Sequence, residues 1–284
     1  MKRFARAARA FVFLSAVLLA GCGAHKQSAS TSIPPAPPAN PLQSAYLRIN
    51  PPLNKDETRF AVFGDVREGR KVMEKIVADI EKDGHYDFAA CSGDMVSMAS
   101  DSEYDVFKQA VLLNLKKTPL IFTPGNHDVQ GEGDARGALY QKYFGAMRYK
   151  FAIGKTLFVS IDNATEEVFT EQYNWLESVL KAERAKYDTL IVFMHMPPYD
   201  MRGGDQWHAM PPKQGEKLLS LLKQYRTTAV FCGHIHAYYA WDKDGVPIYV
   251  TGGAGAELVK GGQHHYLEVA VKDGKLNVTV HPMQ

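Results

Sequence analysis

Apolar runs of strand length alternate with amphipathic stretches along this chain from residue 59 onward. Apolar side chains recur at helical spacing between the runs, as Val72, Ile76, Val77 and Ile80 do. Strands are predicted within residues 59–65, 87–94, 119–128, 189–198, 228–236 and 247–255, and the first three of these ranges include the turn that ends the strand. Helices are predicted at residues 71–82, 104–117, 171–186 and 215–225.

Two further segments have the pattern of β-hairpins. Residues 149–163 are expected to turn at Gly154-Lys155, and residues 264–281 at Asp273-Gly274. Buried strands that alternate with covering helices favour an α/β domain with the helices outside. A chain of 284 residues without internal repeats then favours one large domain.

The composition is that of an ordinary globular protein, with 45% hydrophobic and 23% charged residues. A net charge of +2 and no basic stretch beyond the N-terminus give no reason to expect nucleic-acid binding. Three cysteines are too few for a disulfide framework. Cys91 and Cys232 are predicted to be buried free thiols, although the sequence does not exclude a disulfide between them.

The first 22 residues have the organisation of an export signal. Four basic side chains, Lys2, Arg3, Arg6 and Arg9, precede an apolar run that is too short to span a membrane. The run ends in Leu19-Ala20-Gly21-Cys22, which resembles the bacterial lipobox, in which the cysteine is lipidated. The alternative is a plain secretory signal with an incidental cysteine.

A Pro-, Ser- and Ala-rich stretch follows Cys22 and cannot bury a core, so residues 23–55 are predicted to be a tether and residues 56–284 the folded domain. Gly23 replaces the Asp that is associated with inner-membrane retention. We therefore expect a lipid-anchored protein of the bacterial envelope, with the outer membrane facing the periplasm favoured.

Side chains of metal-binding type follow five of the predicted strands, and ligands bind beyond the carboxyl ends of strands in α/β folds. We expect the preceding glycines to let the backbone turn sharply there. Each block alone is a weak signal, but five in order suit two divalent cations. The blocks are Gly64-Asp65, Gly93-Asp94, Gly125-Asn126-His127-Asp128, His195, and Gly233-His234-Ile235-His236.

These blocks resemble those of the calcineurin-like metallophosphoesterase superfamily, over residues 59 to 284. The resemblance implies a four-layer αββα sandwich of two mixed β-sheets flanked by helices, and a dinuclear centre. Asp94 resembles the bridging ligand; Asn126, His195 and His234 match the other ligands of one metal, and Asp65 and His236 match ligands of the second. His127 matches the histidine that assists phosphoryl transfer, and Asp128 matches the acid that orients it.

Arg67 departs from the family pattern, which has a metal-binding His at this position. The purple acid phosphatase branch also lacks that His but has a Tyr at the position of Ser97. Arg67 cannot bind a cation, and we expect it to contact a substrate phosphate oxygen. Two alternatives are a weakly occupied Asp65/His236 site, or an off-motif ligand such as Ser97 or a downstream His.

The expected function is metal-dependent hydrolysis of phosphate mono- or diesters by a metal-bound hydroxide. The expected cofactors are two divalent ions (Mn, Fe or Zn), and the expected substrate is a phosphorylated small molecule or nucleotide. We expect the protein to be a monomer. A binding lipoprotein without useful turnover and a nucleotide or pyrophosphate hydrolase are the alternatives. The loop containing Tyr199, Asp200, Arg202 and His208 lines the pocket or is solvated, and His264-His265 is expected to be structural or solvent-facing.

Overall fold

The computed structural model describes residue 49 and residues 55–131, 137–165, 168 and 170–284. The predicted signal peptide, Cys22 and nearly all of the predicted tether lie outside these residues. The helices are α1 Arg70–Asp83, α2 Asp101–Asn114, α3 Asn126–Val129, α4 Ala138–Phe144, α5 Thr170–Glu183 and α6 Pro212–Gln224. No helix among the described residues is both long and apolar enough to cross a membrane.

The strands form two mixed sheets. They are β1 Glu57–Phe63, β2 Phe88–Cys91, β3 Leu120–Phe122, β4 Tyr149–Ile153, β5 Thr156–Ser160, β6 Thr189–Phe193, β7 Ala229–Cys232, β8 Tyr238–Lys243, β9 Val246–Thr251, β10 His265–Lys272 and β11 Lys275–Pro282. The first sheet has the order β11-β10-β1-β2-β3, and the second has β4-β5-β6-β7-β9-β8. Both predicted hairpins are present, as β4–β5 and β10–β11.

Three apolar clusters hold four layers together, which confirms the predicted αββα sandwich. Phenylalanines fill the space between the sheets, where Phe60 stacks on Phe88 with ring centroids 5.0 Å apart. A second cluster lies between the first sheet and α1, α2 and α4. The third lies between the second sheet and α5 and α6. Burial of this much apolar surface is the main stabilising term of such a fold.

The amphipathic helices form where the spacing predicts them, with small shifts in their buried faces. The α1 face comprises Met73, Ile76, Val77 and Ile80, with Val72 at its margin. Helices α3 and α4 and strand β8 were not predicted: both helices are short, and β8 is a half-exposed edge strand without a continuous apolar run. Cys91 and Cys232 are buried free thiols, as predicted, and burial raises the pKa of both.

The register of the parallel strands aligns their carboxyl ends. In the first sheet Phe63 pairs with Cys91 and Cys91 with Phe122. In the second sheet Phe193 pairs with Phe231 in the same way. The loops that follow β1, β2, β3, β6 and β7 therefore leave their sheets at the same level, and these loops contain the five sequence blocks.

Candidate metal centre

The side chains predicted to bind metal converge at the carboxyl ends of both sheets. Asp65, Asp94 and His195 are almost completely buried, and each offers a ligand atom within 4.8 Å of the others. Buried charged groups are costly unless they are paired or coordinate a cation. Three of them in direct proximity are therefore a strong indication of a cation site.

The turns at the strand ends are made by the functional residues themselves. Asp65, Asp94 and His234 have backbone φ angles of 62°, 54° and 70°, a region that non-glycine residues adopt at a cost, typically at functional sites. Our expectation that the glycines make the sharp turns is wrong for most blocks, since Gly93 is the one block glycine with a left-handed φ in the described residues.

The block glycines are required mainly because metal-binding groups lie against them. A Cβ atom at Gly125 would lie 2.2 Å from Asp94 Oδ1, and one at Gly233 would lie 2.4 Å from Asp65 Oδ2. A Cβ at Gly93 would come within 2.5 Å of His195 Nδ1. Any larger residue would displace a neighbouring ligand side chain. Glycine is therefore required at these positions because there is no room for a Cβ atom.

Four ligand atoms form one compact group. Asn126 Oδ1 lies 3.0 Å from both His195 Nε2 and His234 Nδ1, and these two ring nitrogens are 3.3 Å apart. Asp94 Oδ1 lies 3.3 Å from His195 Nε2. One carboxylate oxygen, one amide oxygen and two imidazole nitrogens are a donor set that suits Mn, Fe or Zn.

Hydrogen bonds from the opposite ring nitrogen orient two of the imidazoles. His195 Nδ1 donates to the Ser92 carbonyl oxygen at 2.8 Å, and His236 Nδ1 donates to the Glu257 carbonyl oxygen at 2.7 Å. Metal-binding histidines generally donate their second N–H to such a carbonyl, which directs the lone pair of the other nitrogen to the metal. In both residues Nε2 is the nitrogen that faces the centre, so the residues present fit bound cations.

The second half of the centre is less complete. His236 Nε2 lies 3.5 Å from Asp65 Oδ1, and the Asp65 carboxylate also accepts the backbone N–H of His234 at 2.9 Å. Arg67 stands where the family has a His. Its Nε lies 3.6 Å from Glu68 Oε2, and that nitrogen is buried without a hydrogen-bond partner in the part of the chain that the structure describes. The Ser97 hydroxyl donates to Glu68 at 3.1 Å, so neither residue completes this half.

The electrostatics of the centre follow from its buried carboxylates. Burial opposes ionisation of Asp94, but His195 and His127 outweigh this effect and lower the pKa of Asp94 to about 2. Burial likewise opposes protonation of His195, yet Asp94 and Asp65 raise the pKa of His195 to about 9. Burial and the neighbouring His195 and His208 lower the pKa of His234 to about 2. The carboxylates thus create a local negative potential that attracts positive charge.

His127 is placed beside the ligand group but is not oriented as expected. Its Nδ1 donates to the Ser97 carbonyl oxygen at 2.7 Å, and its backbone N–H donates to Asp94 Oδ1 at 3.0 Å. The Asp128 carboxylate accepts three backbone N–H groups, from Asp94, Met95 and Gly125, at 2.8 to 2.9 Å. Asp128 therefore fixes the loops that contain Asp94 and His127, and the carbonyl of Ser97 orients the imidazole in its place.

The loop after His195 is largely exposed, but one of its side chains packs against the centre. His208 stacks on His234 with ring centroids 4.1 Å apart and an interplanar angle of 5°. The loop is held by the buried Asp200, whose carboxylate accepts from the Arg202 side chain at 2.7 and 3.0 Å and from the His208 N–H at 2.9 Å. By contrast, His265 is a buried structural residue whose ring bonds to Gln263 and Thr251.

The arrangement identifies the class of protein. Residues 58–238 match the family model of the calcineurin-like phosphoesterases, so the chain belongs to that family. The family implies a hydrolase with a dinuclear divalent metal centre, and the convergent Asp and His side chains agree with it.

Several named proteins resemble this chain. It is 26% identical over 243 residues to the probable purple acid phosphatase 20 of Arabidopsis thaliana. That alignment covers 77% of this chain and 56% of the plant protein. Purple acid phosphatase 23 of the same plant is 30% identical over 169 residues, 51% of this chain and 35% of that protein. This chain thus spans only part of the length of these relatives.

Two solved structures share the fold. A purple acid phosphatase from yellow lupin (Lupinus luteus) seeds superposes with a TM-score of 0.66 at 19% identity, over 82% of this chain and 52% of that one. A dimetal phosphatase from Danio rerio superposes with a TM-score of 0.61 at 14% identity, over 79% of this chain and 96% of that one. At these identities the likeness concerns the fold alone.

Proposed function

We propose that this protein is a metal-dependent phosphatase that hydrolyses phosphate esters at the centre described above. The observation that carries the proposal is the group formed by Asp94, Asn126, His195 and His234, which would hold one cation. Next to it lies the His127 imidazole, whose Nδ1 is bonded to the Ser97 carbonyl oxygen and whose Nε2 has no hydrogen bond to the described residues. Asp65 and His236, with Asp94 as the bridge, would hold the second. Such cations would supply a nucleophilic water at neutral pH and neutralise the charge of the phosphate oxygens.

The protein's own residues would perform the remaining steps. His127, held through Nδ1 by the Ser97 carbonyl oxygen, presents Nε2 to the substrate and would protonate the leaving oxygen. His208, stacked on His234, would exclude water from one side of the reacting phosphate. Both roles are proposals that rest on the positions of the rings.

The direct test is release of p-nitrophenol from mono- and bis-p-nitrophenyl phosphate by the domain loaded with Mn²⁺. Because relatives of this chain bear the names of phosphatases, we expect the monoester to be the better substrate. Turnover should be abolished by EDTA and restored by added metal. A protein that binds the metals and both substrates without releasing product would instead be the binding lipoprotein considered above.

Arg67 is proposed to contact a phosphate oxygen of the substrate. Its Nε is buried, lies 3.6 Å from Glu68 Oε2 and has no hydrogen-bond partner among the described residues. Its φ of 46° holds the residue in a strained conformation beside Asp65. A charge-assisted hydrogen bond contributes about 1.5–3 kcal/mol. The Arg67→Ala variant is therefore expected to raise KM by about 10- to 100-fold, with unchanged metal content.

The Arg67→Lys and Arg67→His variants distinguish the other accounts of this position. Lysine keeps the positive charge but lacks the planar guanidinium group that can donate two parallel hydrogen bonds. A KM between those of the wild type and Arg67→Ala therefore supports the phosphate contact. If histidine instead increases metal content and activity, the centre is limited by a missing ligand. Kinetics that do not change in any of the three variants would rule out the proposed contact.

We infer that the protein is anchored in the bacterial envelope through Cys22, on the strength of the signal-like first 22 residues. Membrane fractionation of the Cys22→Ser variant tests this. The variant should leave the membrane fraction, whereas an unchanged distribution would refute anchoring through this cysteine.

A further inference from the structure

A cavity of about 470 Å³ lies beside the proposed catalytic centre and is not used by any step above. Its walls come from two loops that also contain the predicted ligands. Val66 and Arg67 directly follow Asp65, while Met95, Val96 and Ser97 directly follow Asp94. The third wall is one face of α2, with Val106 and Phe107. The cavity is therefore built on the same strand ends as the metal centre.

The cavity also adjoins the proposed proton donor. The backbone N–H groups of Val66 and Arg67 donate to the Asp94 carbonyl oxygen at 2.8 and 3.2 Å, which joins the two loops directly behind the carboxylates. Ser97, whose carbonyl oxygen holds His127, lines the cavity. Arg67, which is proposed to contact the phosphate, lines the same cavity, so an ester whose phosphate contacts Arg67 would have its alcohol part next to this space.

The chemistry of the lining indicates what the cavity accepts. Val66, Met95, Val96 and Phe107 form an apolar floor with little accessible surface of their own, and Val106 beside them is 45% exposed. The rim is polar and comprises Arg67, Glu68, Arg70, Ser97, Ser102 and Glu103. The acidic groups of the rim already have partners. Glu68 accepts from the Ser97 hydroxyl, and Glu103 accepts from the backbone N–H of Ser97 at 2.7 Å.

We propose that this cavity binds the alcohol part of the substrate, and that it selects phosphate esters of apolar, especially aromatic, alcohols. An aromatic ring would bury the exposed apolar surface of Val106 above this floor, whereas a sugar or a polyphosphate would meet rim carboxylates that already have partners. The Arg67 guanidinium at the rim also suits the face of such a ring. This inference rests on the proposed function and names its substrate class.

The test compares phenyl phosphate with 2-naphthyl phosphate, two monoesters with similar leaving groups that differ in apolar area. The metal-loaded wild-type protein should prefer the naphthyl ester in kcat/KM by about five- to tenfold, from the added buried area. Val106 is 45% exposed on α2 at the cavity. The Val106→Trp variant should fill the space and remove this preference, mainly through KM, while the inhibition constant of inorganic phosphate stays unchanged.

Leu113 provides the matched control, because it lies on the same helix, is 71% exposed and does not line the cavity. The Leu113→Trp variant should keep the wild-type preference. If Val106→Trp does not fold, Ser102→Trp at the rim replaces it. If an active Val106→Trp or Ser102→Trp variant shows the wild-type ratio of kcat/KM for the two esters, the cavity assignment is overturned and the proposed function is left intact.

Absence of turnover in the wild type is a different outcome, because it contradicts the proposed function. In that case the cavity is tested by calorimetry, which measures the affinity of 2-naphthyl phosphate for the metal-loaded wild-type and Val106→Trp proteins. Weaker binding by the variant supports the cavity, and equal affinities overturn it.

Discussion

The His127→Ala variant is expected to lose about 10²- to 10⁴-fold in kcat on alkyl phosphates, the usual contribution of a general acid. The structure gives the reason. The imidazole is fixed through Nδ1 by the Ser97 carbonyl oxygen, so Nε2 is the nitrogen available to protonate the leaving oxygen. The backbone N–H of His127 that bonds to Asp94 remains in the variant, so the ligand group is preserved.

The dependence on the leaving group distinguishes this role from a structural one. p-Nitrophenolate leaves without a proton, so p-nitrophenyl phosphate should lose much less activity than an alkyl ester in the same variant. Metal content, measured by mass spectrometry, should match that of the wild type and of the surface control His85→Ala. An equal loss on both kinds of substrate, or full turnover on both, would remove His127 from the role of acid.

The Asp94→Asn variant should lose both cations and at least about 10³-fold in activity, since two-metal catalysis supplies several kcal/mol of transition-state stabilisation. Asparagine has nearly the same shape and can still accept the His127 N–H, but it lacks the charge of a bridging ligand. The His236→Ala variant should lose mainly one cation, because His236 contacts the Asp65 half and not the group around Asn126.

Metal stoichiometry of the two variants, each compared with the wild type and with His85→Ala, checks this asymmetry. Equal loss of metal in both variants would mean that the two halves fill as one cooperative unit. Retention of both cations by Asp94→Asn would show that this carboxylate is not the bridge. Circular dichroism confirms that each variant is folded before its metal content is interpreted.

The burial of the centre explains why its residues tolerate little change. A Cβ atom added at Gly93, Gly125 or Gly233 would lie within 2.5 Å of a predicted ligand side chain. Four functional residues adopt left-handed backbone angles. Asp128 joins the loops after β2 and β3 through three backbone N–H groups. Backbone contacts thus hold the ligands in place.

The order of the strands and helices could be predicted because each is determined by local patterning. The apolar face of α1 and the two hairpin turns are properties of neighbouring residues. Edge strand β8 and helix α4 were missed for the same reason, since pairing with β9 and packing against α2 and the first sheet determine them. Tyr140, Tyr143 and Phe144 do recur at helical spacing in α4, but the segment is only seven residues long, and β8 has no clear alternation of buried and exposed positions.

The sequence by itself determined the family, the fold class and the residues that meet at the centre, because glycine, carboxylate and imidazole blocks at strand ends are locally encoded. The tertiary structure alone decided how those residues are held. Ser97 orients His127 through a carbonyl group that any residue would offer, and His208 reaches His234 from a loop 26 residues earlier. Backbone contacts and distant loops leave no pattern in the sequence, since they depend on how the chain is packed.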